Sequence, residues 1–180
     1  MSVTDDELLD LFPAWLRALG EDAVALGAVI AAGDGPEPAR QTLAAGLNYL
    51  FKSLDLIPDG LDDVGYLDDA FVLRVAAAQA IAAGIAGAGG SVLGRLGAEA
   101  ATIGAFLGDD YGRLDHYVRG LVRGSVRNRS VQDIVGDAPT QADFLADLRA
   151  FAASYRTPSF NREERTLVKL AAFFDAKLPR

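Results

Sequence analysis

Residues 54–69 read LDLIPDGLDDVGYLDD, and this acidic segment interrupts a chain whose other parts show helical patterning. Its six acidic residues, with no lysine or arginine among them, are Asp55, Asp59, Asp62, Asp63, Asp68 and Asp69. Apolar residues are interleaved with these aspartates, which is typical neither of a solvated acidic tail nor of an ordinary apolar strand. Carboxylates in such a segment need partners, because burying an unpaired charge is strongly unfavourable.

Local signals place the acidic segment between two helices. Pro58 removes a backbone amide and pushes Ile57 away from helical dihedral angles. Gly60 and Gly65 permit turns, and helical patterning resumes near Tyr66. We therefore predict an Asp-rich loop between two core helices.

Capping signals and glycines divide the N-terminal region into predicted helices. Thr4 and Glu7 have the spacing of a capping box, so the first helix begins there. Pro13 either kinks this helix or starts a second one, and Gly20 ends it. A short apolar helix follows over residues 21–32.

Polar capping residues also mark three helices in the C-terminal third. Ser130 opens a short helix, Thr140 opens a longer one and Asn161 opens the last. The predicted buried face of the last helix is Leu167, Val168, Leu170, Ala171 and Phe174. Because no segment shows the sustained alternation of a strand, we predict an all-α fold, a single helical bundle-like domain with the Asp-rich loop between two core helices.

Residues 76–108 are rich in alanine and glycine, and small residues recur there every three or four positions. A continuous helix would present them as a smooth ridge, against which another helix packs closely. Glycine weakens a helix by about 1 kcal/mol per position relative to alanine. We therefore favour a break at Gly89-Gly90, with Ser91 capping a new helix.

Twenty uncharged residues lie between Arg74 and Arg95, which is the length that a membrane-spanning helix needs. Few of them favour insertion strongly, and the glycines, Gln79 and Ser91 oppose it. We predict a helix buried in protein, with a membrane-inserted or membrane-apposed hairpin as the alternative.

Composition excludes several classes of function. The net charge of −8 gives no general electrostatic attraction to phosphate backbones, so we expect no nucleic-acid partner. The absence of cysteine excludes thiolate sites, and a single histidine, His116, excludes a multi-histidine metal site within one chain. Residues 1–10 contain four acids and no base, the wrong pattern for a signal peptide, so we expect a cytoplasmic protein, with association at the membrane surface as the alternative.

The acidic segment also carries a family pattern, which consists of Tyr49-Leu50, Ser53, Asp55-Leu56-Ile57-Pro58-Asp59, Gly65 and Leu67-Asp68-Asp69. This pattern resembles the core of the YkvA-like family of bacterial domains of unknown function, although Asp62 or Asp63 stands where the family often has a proline. The resemblance implies a small helical domain, in some members described as membrane-associated, with no established activity. It places a YkvA-like core at about residues 40–90 and a C-terminal helical extension at about residues 91–180 of a single domain.

Three interpretations account for the carboxylates. In the structural one, Asp59 caps a turn, and Asp68 and Asp69 lie in the first turn of a helix, where the macrodipole favours negative charge. In the second, the carboxylates of the loop form ion pairs with a basic stripe on a predicted helix. If the stripe does not pair with the loop, it can bind an anion instead. The arginines of the stripe are Arg113, Arg119, Arg123 and Arg127. The third is a Mg²⁺, Mn²⁺ or Ca²⁺ site formed by Asp55, Asp59, Asp68 and Asp69.

The leading functional expectation is a non-enzymatic helical interaction or scaffold module of a bacterial cytoplasm, whose partner is another protein or a second copy of the chain. The alternatives are a metal-dependent enzyme or metal-binding protein that uses these aspartates, and a carrier of a small apolar ligand. No cofactor is expected other than a divalent cation. A scaffold predicts an exposed apolar patch, an enzyme predicts convergent carboxylates with raised pKa values, and a carrier predicts an enclosed apolar pocket.

Overall fold

The computed structural model describes residues 2–180, and the predicted all-α fold is confirmed. Its helices are α1 (Asp5–Ala32), α2 (Glu37–Asn48), α3 (Leu67–Ala82), α4 (Val92–Leu107), α5 (Asp110–Gly120), α6 (Val131–Gly136), α7 (Ala138–Ser154) and α8 (Glu164–Lys177). Short 3₁₀ turns follow α2 at Tyr49–Phe51 and α5 at Leu121–Arg123. The sequence pattern missed a small antiparallel hairpin of β1 (Ser125–Val126) and β2 (Arg129–Ser130), because strands of two residues are too short to show alternation.

Helix α3 lies at the centre of the fold, packed mainly against α4 and α2. It is buried on nearly all sides, from Leu67 at its start to Ala80 near its end. A helix enclosed in this way has no polar face, which explains why its sequence lacks an amphipathic stripe. The hydrophobic core continues from α3 into every other helix.

Buried Arg74 joins α3 to α1 and α4. Its Nε donates to Glu99 Oε2 at 2.7 Å, and its guanidinium carbon lies 3.9 Å from the centroid of the Trp15 ring. Arg95 forms a further ion pair at 2.5 Å with Asp22 of α1. Opposite charges balance each other in this group, which is the usual condition for ionised side chains inside proteins.

Helix α1 continues without interruption through all of its 28 residues, so Pro13 does not start a second helix and the predicted helix end at Gly20 is wrong. Gly20 makes room for α7, because a Cβ at this position would lie 3.2 Å from the Cα of Ala152. The helix ends at Gly33, which adopts the left-handed conformation with φ of 71°.

Most of the predicted helix starts are confirmed. Thr4 forms the capping box at the start of α1. The hydroxyls of Ser91 and Ser130 cap α4 and α6, so the chain does break before Ser91. The start of α7 is a correction, because Asp137 accepts the amide hydrogen bond of Thr140 and the helix begins earlier than predicted.

Helix α8 also differs from the prediction. Its first residue is Glu164, and Glu163 rather than Asn161 occupies the N-cap position. Val168 is 63% exposed, so it does not belong to the buried face that the sequence predicted. The helix packs at the edge of the fold against α1 and α5, which leaves its outer side in solvent.

The uncharged segment between Arg74 and Arg95 forms the end of α3, a loop and the start of α4. Its residues Ala76, Ala80 and Leu93 are buried inside the protein. Over residues 2–180, no helix combines the length and the apolar character needed to cross a membrane.

Small residues bring α2, α3 and α4 close together. A Cβ on Gly46 of α2 would lie 2.5 Å from the Cβ of Ala76 in α3. A Cβ on Gly97 of α4 would lie 2.6 Å from Cδ1 of Ile81 in α3. Both separations are shorter than van der Waals contact, so these two seams are packed as closely as glycine allows.

We expect Gly46→Ala to lower the free energy of unfolding by about 1–3 kcal/mol, because the added methyl overpacks the seam between α2 and α3. Gly112→Ala in α5 is the matched control, since its Cβ would meet no other part of residues 2–180 within 4 Å. The control gains helix propensity, so we expect equal stability or a gain of up to about 1 kcal/mol. Urea unfolding measures both, and equal stabilities would show that the seam tolerates a methyl group.

Candidate metal centre

The Asp-rich loop (residues 52–66) joins the 3₁₀ turn after α2 to the start of α3. Its residues Leu56, Ile57 and Val64 are buried and anchor it in the core. This anchoring explains the interleaved sequence pattern, because each buried apolar side chain holds the neighbouring aspartates at the edge of the core rather than in open solvent.

Two residues turn the loop back onto α3. Gly65 donates its amide to the Leu61 carbonyl at 2.9 Å, and a Cβ on Gly65 would collide with the carbonyl oxygen of Asp59. Tyr66, directly before α3, adopts the left-handed conformation with φ of 64°. Such a conformation costs a non-glycine residue about 1–3 kcal/mol, so the surrounding contacts must stabilise it.

Tyr49 fastens the loop to α3 through Asp68. The Tyr49 hydroxyl donates to Asp68 Oδ2 at 2.5 Å and accepts from the Leu56 amide at 2.7 Å. The Ile57 amide donates to the same Asp68 oxygen at 3.1 Å. Asp68 is fully buried, so two donors satisfy one of its oxygens deep inside the protein.

The structure brings the four candidate aspartates together. Asp59, Asp68 and Asp69 each contribute an oxygen, and these oxygens all lie within 4.8 Å of one another. Asp55 lies close enough to Asp59 and Asp68 for their negative charges to raise its pKa, so Asp55 belongs to the same group. Asp62 is exposed and lies outside the group. We name the four residues the aspartate cluster.

Each member of the aspartate cluster has one oxygen that is shielded from solvent and has no hydrogen-bond donor within residues 2–180. These oxygens are Asp55 Oδ1, Asp59 Oδ1, Asp68 Oδ1 and Asp69 Oδ2. Buried polar atoms in proteins are nearly always paired. Four such oxygens in one place are therefore a strong departure from the ordinary, and oxygen ligands of this kind suit a hard cation.

Burial dominates the electrostatics of the aspartate cluster. It raises the pKa of Asp55 to about 7, with a further contribution from the negative charge of Asp59. It also raises the pKa of Asp68 to about 6, although the hydrogen bond from Tyr49 acts in the opposite direction. The pKa of Asp69 is raised well above its usual range by burial and then by the charge of Asp68.

Basic residues compensate the cluster only weakly. The charge of Lys52 lowers the pKa of Asp55, but burial and the neighbouring carboxylates raise it more. The Lys52 amine donates to the Tyr117 hydroxyl at 2.8 Å. In the part of the chain that the structure describes, no salt bridge includes a member of the aspartate cluster.

The four arginines of the predicted stripe do not share one helical face. Helix α5 ends before Arg123, which lies in a 3₁₀ turn, and Arg127 lies in the turn between β1 and β2. Arg113 and Arg119 pair with aspartates of α5 itself, at 2.6 Å and 2.9 Å. Within residues 2–180, none of the four forms an ion pair with the aspartate cluster, so the loop is not clamped by this stripe.

Asp59 connects the aspartate cluster to solvent. It lines two clefts, of about 700 Å³ and about 330 Å³, and both clefts also include Phe51 and Arg127. Asp59 is half-buried, whereas Asp68 and Asp69 lie completely inside the protein. An ion held by these carboxylates would have two deep ligands and one ligand on the wall of a cleft.

The sequence pattern drew attention to the four carboxylates but assigned no structural role to Tyr49 or Tyr66. Tyr49 lies 19 positions before Asp68, so no local spacing reveals their contact. The neighbouring Gly65 signals a turn before α3, but the left-handed residue at the helix start is Tyr66, where glycine would be expected. The density of aspartates in residues 54–69 and the family pattern around them are the sequence signals that indicate the site.

One family match accompanies this geometry. Residues 39–74 match the family described as "Protein of unknown function (DUF1232)". The matched segment includes most of α2, the Asp-rich loop and the first half of α3, and thus all four members of the aspartate cluster. The match supports an uncharacterised domain family, and the description of that family names no activity. No curated protein and no solved structure matches the chain.

We expect Tyr49→Phe to lower the free energy of unfolding by about 1–3 kcal/mol, because it removes two buried hydrogen bonds and keeps the ring. Tyr117→Phe is the matched control, since its half-buried hydroxyl accepts from Lys52 outside the aspartate cluster. Chemical unfolding followed by circular dichroism measures both changes. A loss for Tyr49→Phe no larger than that of the control would contradict its anchoring role.

The raised pKa values predict that stability without divalent cations falls as pH rises. Unfolded aspartates have pKa values of about 3.9, so the folded cluster retains protons that the unfolded chain releases. This stabilising contribution is complete below about pH 4. It is lost as pH rises through about 6 and about 7, the pKa values of Asp68 and Asp55.

In EDTA, we therefore expect a lower Tm at about pH 8 than at about pH 5.5. Asp55→Asn removes one of the titrating groups and is expected to reduce this difference. Asp62→Asn changes an exposed aspartate of the same loop and is expected to preserve it. A wild-type Tm that does not change between these pH values would contradict the raised pKa values.

Proposed function

We propose that this protein is a divalent-cation-binding domain, with the aspartate cluster as its Mg²⁺, Mn²⁺ or Ca²⁺ site. The observation that carries the proposal is the set of four solvent-shielded carboxylate oxygens that have no hydrogen-bond donor within residues 2–180. A divalent cation supplies compensating charge and prefers oxygen ligands of this type.

The spacing of the carboxylate oxygens is compatible with the coordination distances of a divalent cation. Oxygens of Asp59, Asp68 and Asp69 lie within 4.8 Å of one another. Two oxygens on opposite sides of a Ca²⁺ ion are about 5 Å apart, and adjacent ones are closer. The three carboxylates are therefore close enough to bind one cation, and Asp55 provides a fourth carboxylate beside Asp59.

Asp68 is already oriented as a ligand. The Tyr49 hydroxyl and the Ile57 amide hold its Oδ2, which leaves Oδ1 for a cation. Hydrogen bonds of this kind orient carboxylate ligands and strengthen metal sites. Because Asp59 lies on the wall of a cleft, the outer coordination positions of the cation are accessible to water or to a further ligand.

The surface of the protein gives less support to the two other candidate functions, an interaction module and a carrier of a small apolar ligand. The large hydrophobic side chains that residues 2–180 expose are Leu54 and Val168, at 82% and 63%, and single side chains do not make a contiguous patch. A groove of about 510 Å³, lined by Val29 and Ile85 among others, is open to solvent rather than enclosed. We therefore favour cation binding over an interaction module or a carrier, and we propose no enzymatic step.

Finer predictions accompany this proposal. We propose that the matched segment is YkvA-like, because it carries Asp-Leu-Ile-Pro-Asp and Leu-Asp-Asp at the spacing of that family. A single domain over residues 1–180 and a bacterial cytoplasmic location stay predictions. A protein partner, self-association and attachment to a membrane surface are likewise predictions.

Thermal unfolding at about pH 8 tests the proposal, in EDTA and in millimolar Mg²⁺, Mn²⁺ or Ca²⁺. A cation at 100 times its Kd stabilises the folded state by about 2.7 kcal/mol. For a chain of this size, that free energy corresponds to a rise in Tm of about 5–10 °C. We expect such a rise with at least one of the three cations.

Asp59→Asn is the decisive variant, and we expect it to lose the cation-dependent rise. Its Tm in EDTA is expected to exceed that of the wild type, because the substitution removes one of several repelling charges. Asp62→Asn, exposed in the same loop, is expected to respond as the wild type does. No response of the wild type to any of the three cations, or an unchanged response in Asp59→Asn, would refute cation binding at this cluster.

A further inference from the structure

We infer that the cleft beside the aspartate cluster binds a phosphate-bearing ligand, whose oxygens bridge the bound cation and the guanidinium of Arg127. The inference rests on the proposed cation site and names the class of ligand that completes it. It assigns binding only, with no bond made or broken.

Arg127 is held at the cleft by a strained turn. Arg127 and Asn128 connect β1 to β2, with φ of 50° and 60°. Both lie in the left-handed region, which glycine occupies far more readily than arginine. The guanidinium carbon of Arg127 lies 4.7 Å from the centroid of the Phe51 ring, so the side chain is stacked in place.

The guanidinium of Arg127 retains donors for a ligand. It is 3.8 Å from Asp147 Oδ2, whereas Arg129 pairs with the same oxygen at 2.8 Å. The side chain of Arg127 is also 59% exposed. A planar guanidinium that is stacked on a ring and only weakly paired is well suited to bind two oxygens of an anion at once.

The larger cleft gathers further donors around Asp59. Lys52, Ser53, Ser125 and Arg127 line it together with Asp59. Its volume of about 700 Å³ lies within the range of small-molecule sites. Two basic groups and two hydroxyls suit an oxyanion, and a bound cation reduces the negative charge of the carboxylates beside them.

Electrostatic repulsion explains why the phosphate ligand binds only after the divalent cation. Four carboxylates repel an anion at close range, so the cleft without a cation favours no phosphate. With the cation bound, the negative charge of the cluster is partly neutralised, and the cation, Arg127 and Lys52 together attract an anion. Mg²⁺ that is bound by one or two carboxylates often completes its coordination with phosphate oxygens, and a phosphomonoester has three terminal oxygens.

A phosphomonoester reaches such a cleft either as a soluble compound or as a lipid headgroup. Glycerol 3-phosphate and phosphatidic acid carry the same phosphate on glycerol, so they separate the two sources. The test uses the full chain with Mn²⁺, because electron paramagnetic resonance measures Mn²⁺ binding directly. The ³¹P relaxation rate of glycerol 3-phosphate then reports whether the phosphate approaches the bound Mn²⁺.

With protein in excess over Mn²⁺, we expect the wild type to enhance the ³¹P relaxation of glycerol 3-phosphate. We expect Arg127→Gln to weaken the affinity for glycerol 3-phosphate about tenfold, with the affinity for Mn²⁺ unchanged. Arg119→Gln is the matched control, because Arg119 is 62% exposed and lines neither cleft. It is expected to behave as the wild type does.

The lipid source is tested by sedimentation of the same three proteins with phosphatidylcholine vesicles that contain or lack phosphatidic acid, in Mn²⁺ or in EDTA. Binding to phosphatidic acid that requires both Mn²⁺ and Arg127, without binding of glycerol 3-phosphate, assigns the lipid headgroup. Binding of glycerol 3-phosphate alone assigns a soluble ligand. Binding of both assigns the phosphate group in either setting.

Two failures are distinguishable. If the wild type binds Mn²⁺ but neither phosphate probe, or if Arg127→Gln binds the probes as tightly as the wild type, the inference is overturned and the cation site stands. If the wild type does not bind Mn²⁺, the proposed cation site fails, and the inference fails with it.

Discussion

The placement of two acidic side chains in the first turn of a buried helix determines much of this structure. Asp68 and Asp69 are 0% and 1% exposed where α3 enters the core. The helix N-terminus favours their negative charge, and Tyr49 covers Asp68 with a hydrogen bond of 2.5 Å. This contact fixes the end of α2, the Asp-rich loop and the start of α3 relative to one another. The same interaction therefore shapes both the fold and the candidate site.

A second buried charge on α3 shows how the fold accommodates ionised side chains elsewhere. Arg74 lies 2.7 Å from Glu99 and 3.8 Å from Asp22, so opposite charges surround it. Burial lowers its pKa to about 10, and it stays charged near neutral pH. The aspartate cluster, by contrast, has four acidic groups and no ion pair within residues 2–180. Helix α3 thus carries Arg74, which opposite charges surround, as well as Asp68 and Asp69, which have no basic partner within residues 2–180.

Local signals in the sequence predict the loop, its flanking helices and the four carboxylates, because Pro58 and the run of aspartates act on their immediate surroundings. They cannot predict the contact between Tyr49 and Asp68, since only the folded loop brings these residues together. Gly20 shows a different limit. A glycine in the sequence can indicate either the end of a helix or a close contact with another helix. At Gly20 it is a close contact, because α7 packs against it, and this cannot be read from the residues around Gly20. Likewise, the spacing of the arginines suggests one stripe only while α5 continues, and the hairpin moves Arg127 to the cleft.

Protons and divalent cations compete for the aspartate cluster, and pH decides between them. A proton removes the charge of one carboxyl and provides a donor to its neighbour, and burial together with the charge of Asp68 raises the pKa of Asp69 well above its usual range. The pKa of Asp68 is about 6, so its buried carboxylate is ionised near pH 7, while Tyr49 and Ile57 satisfy only Oδ2. A proton neutralises one carboxylate, whereas a divalent cation compensates the charges of two. Since metal ligands must be deprotonated, cation binding at the cluster releases protons. The affinity for the cation is therefore highest at high pH, where the aspartates are already deprotonated.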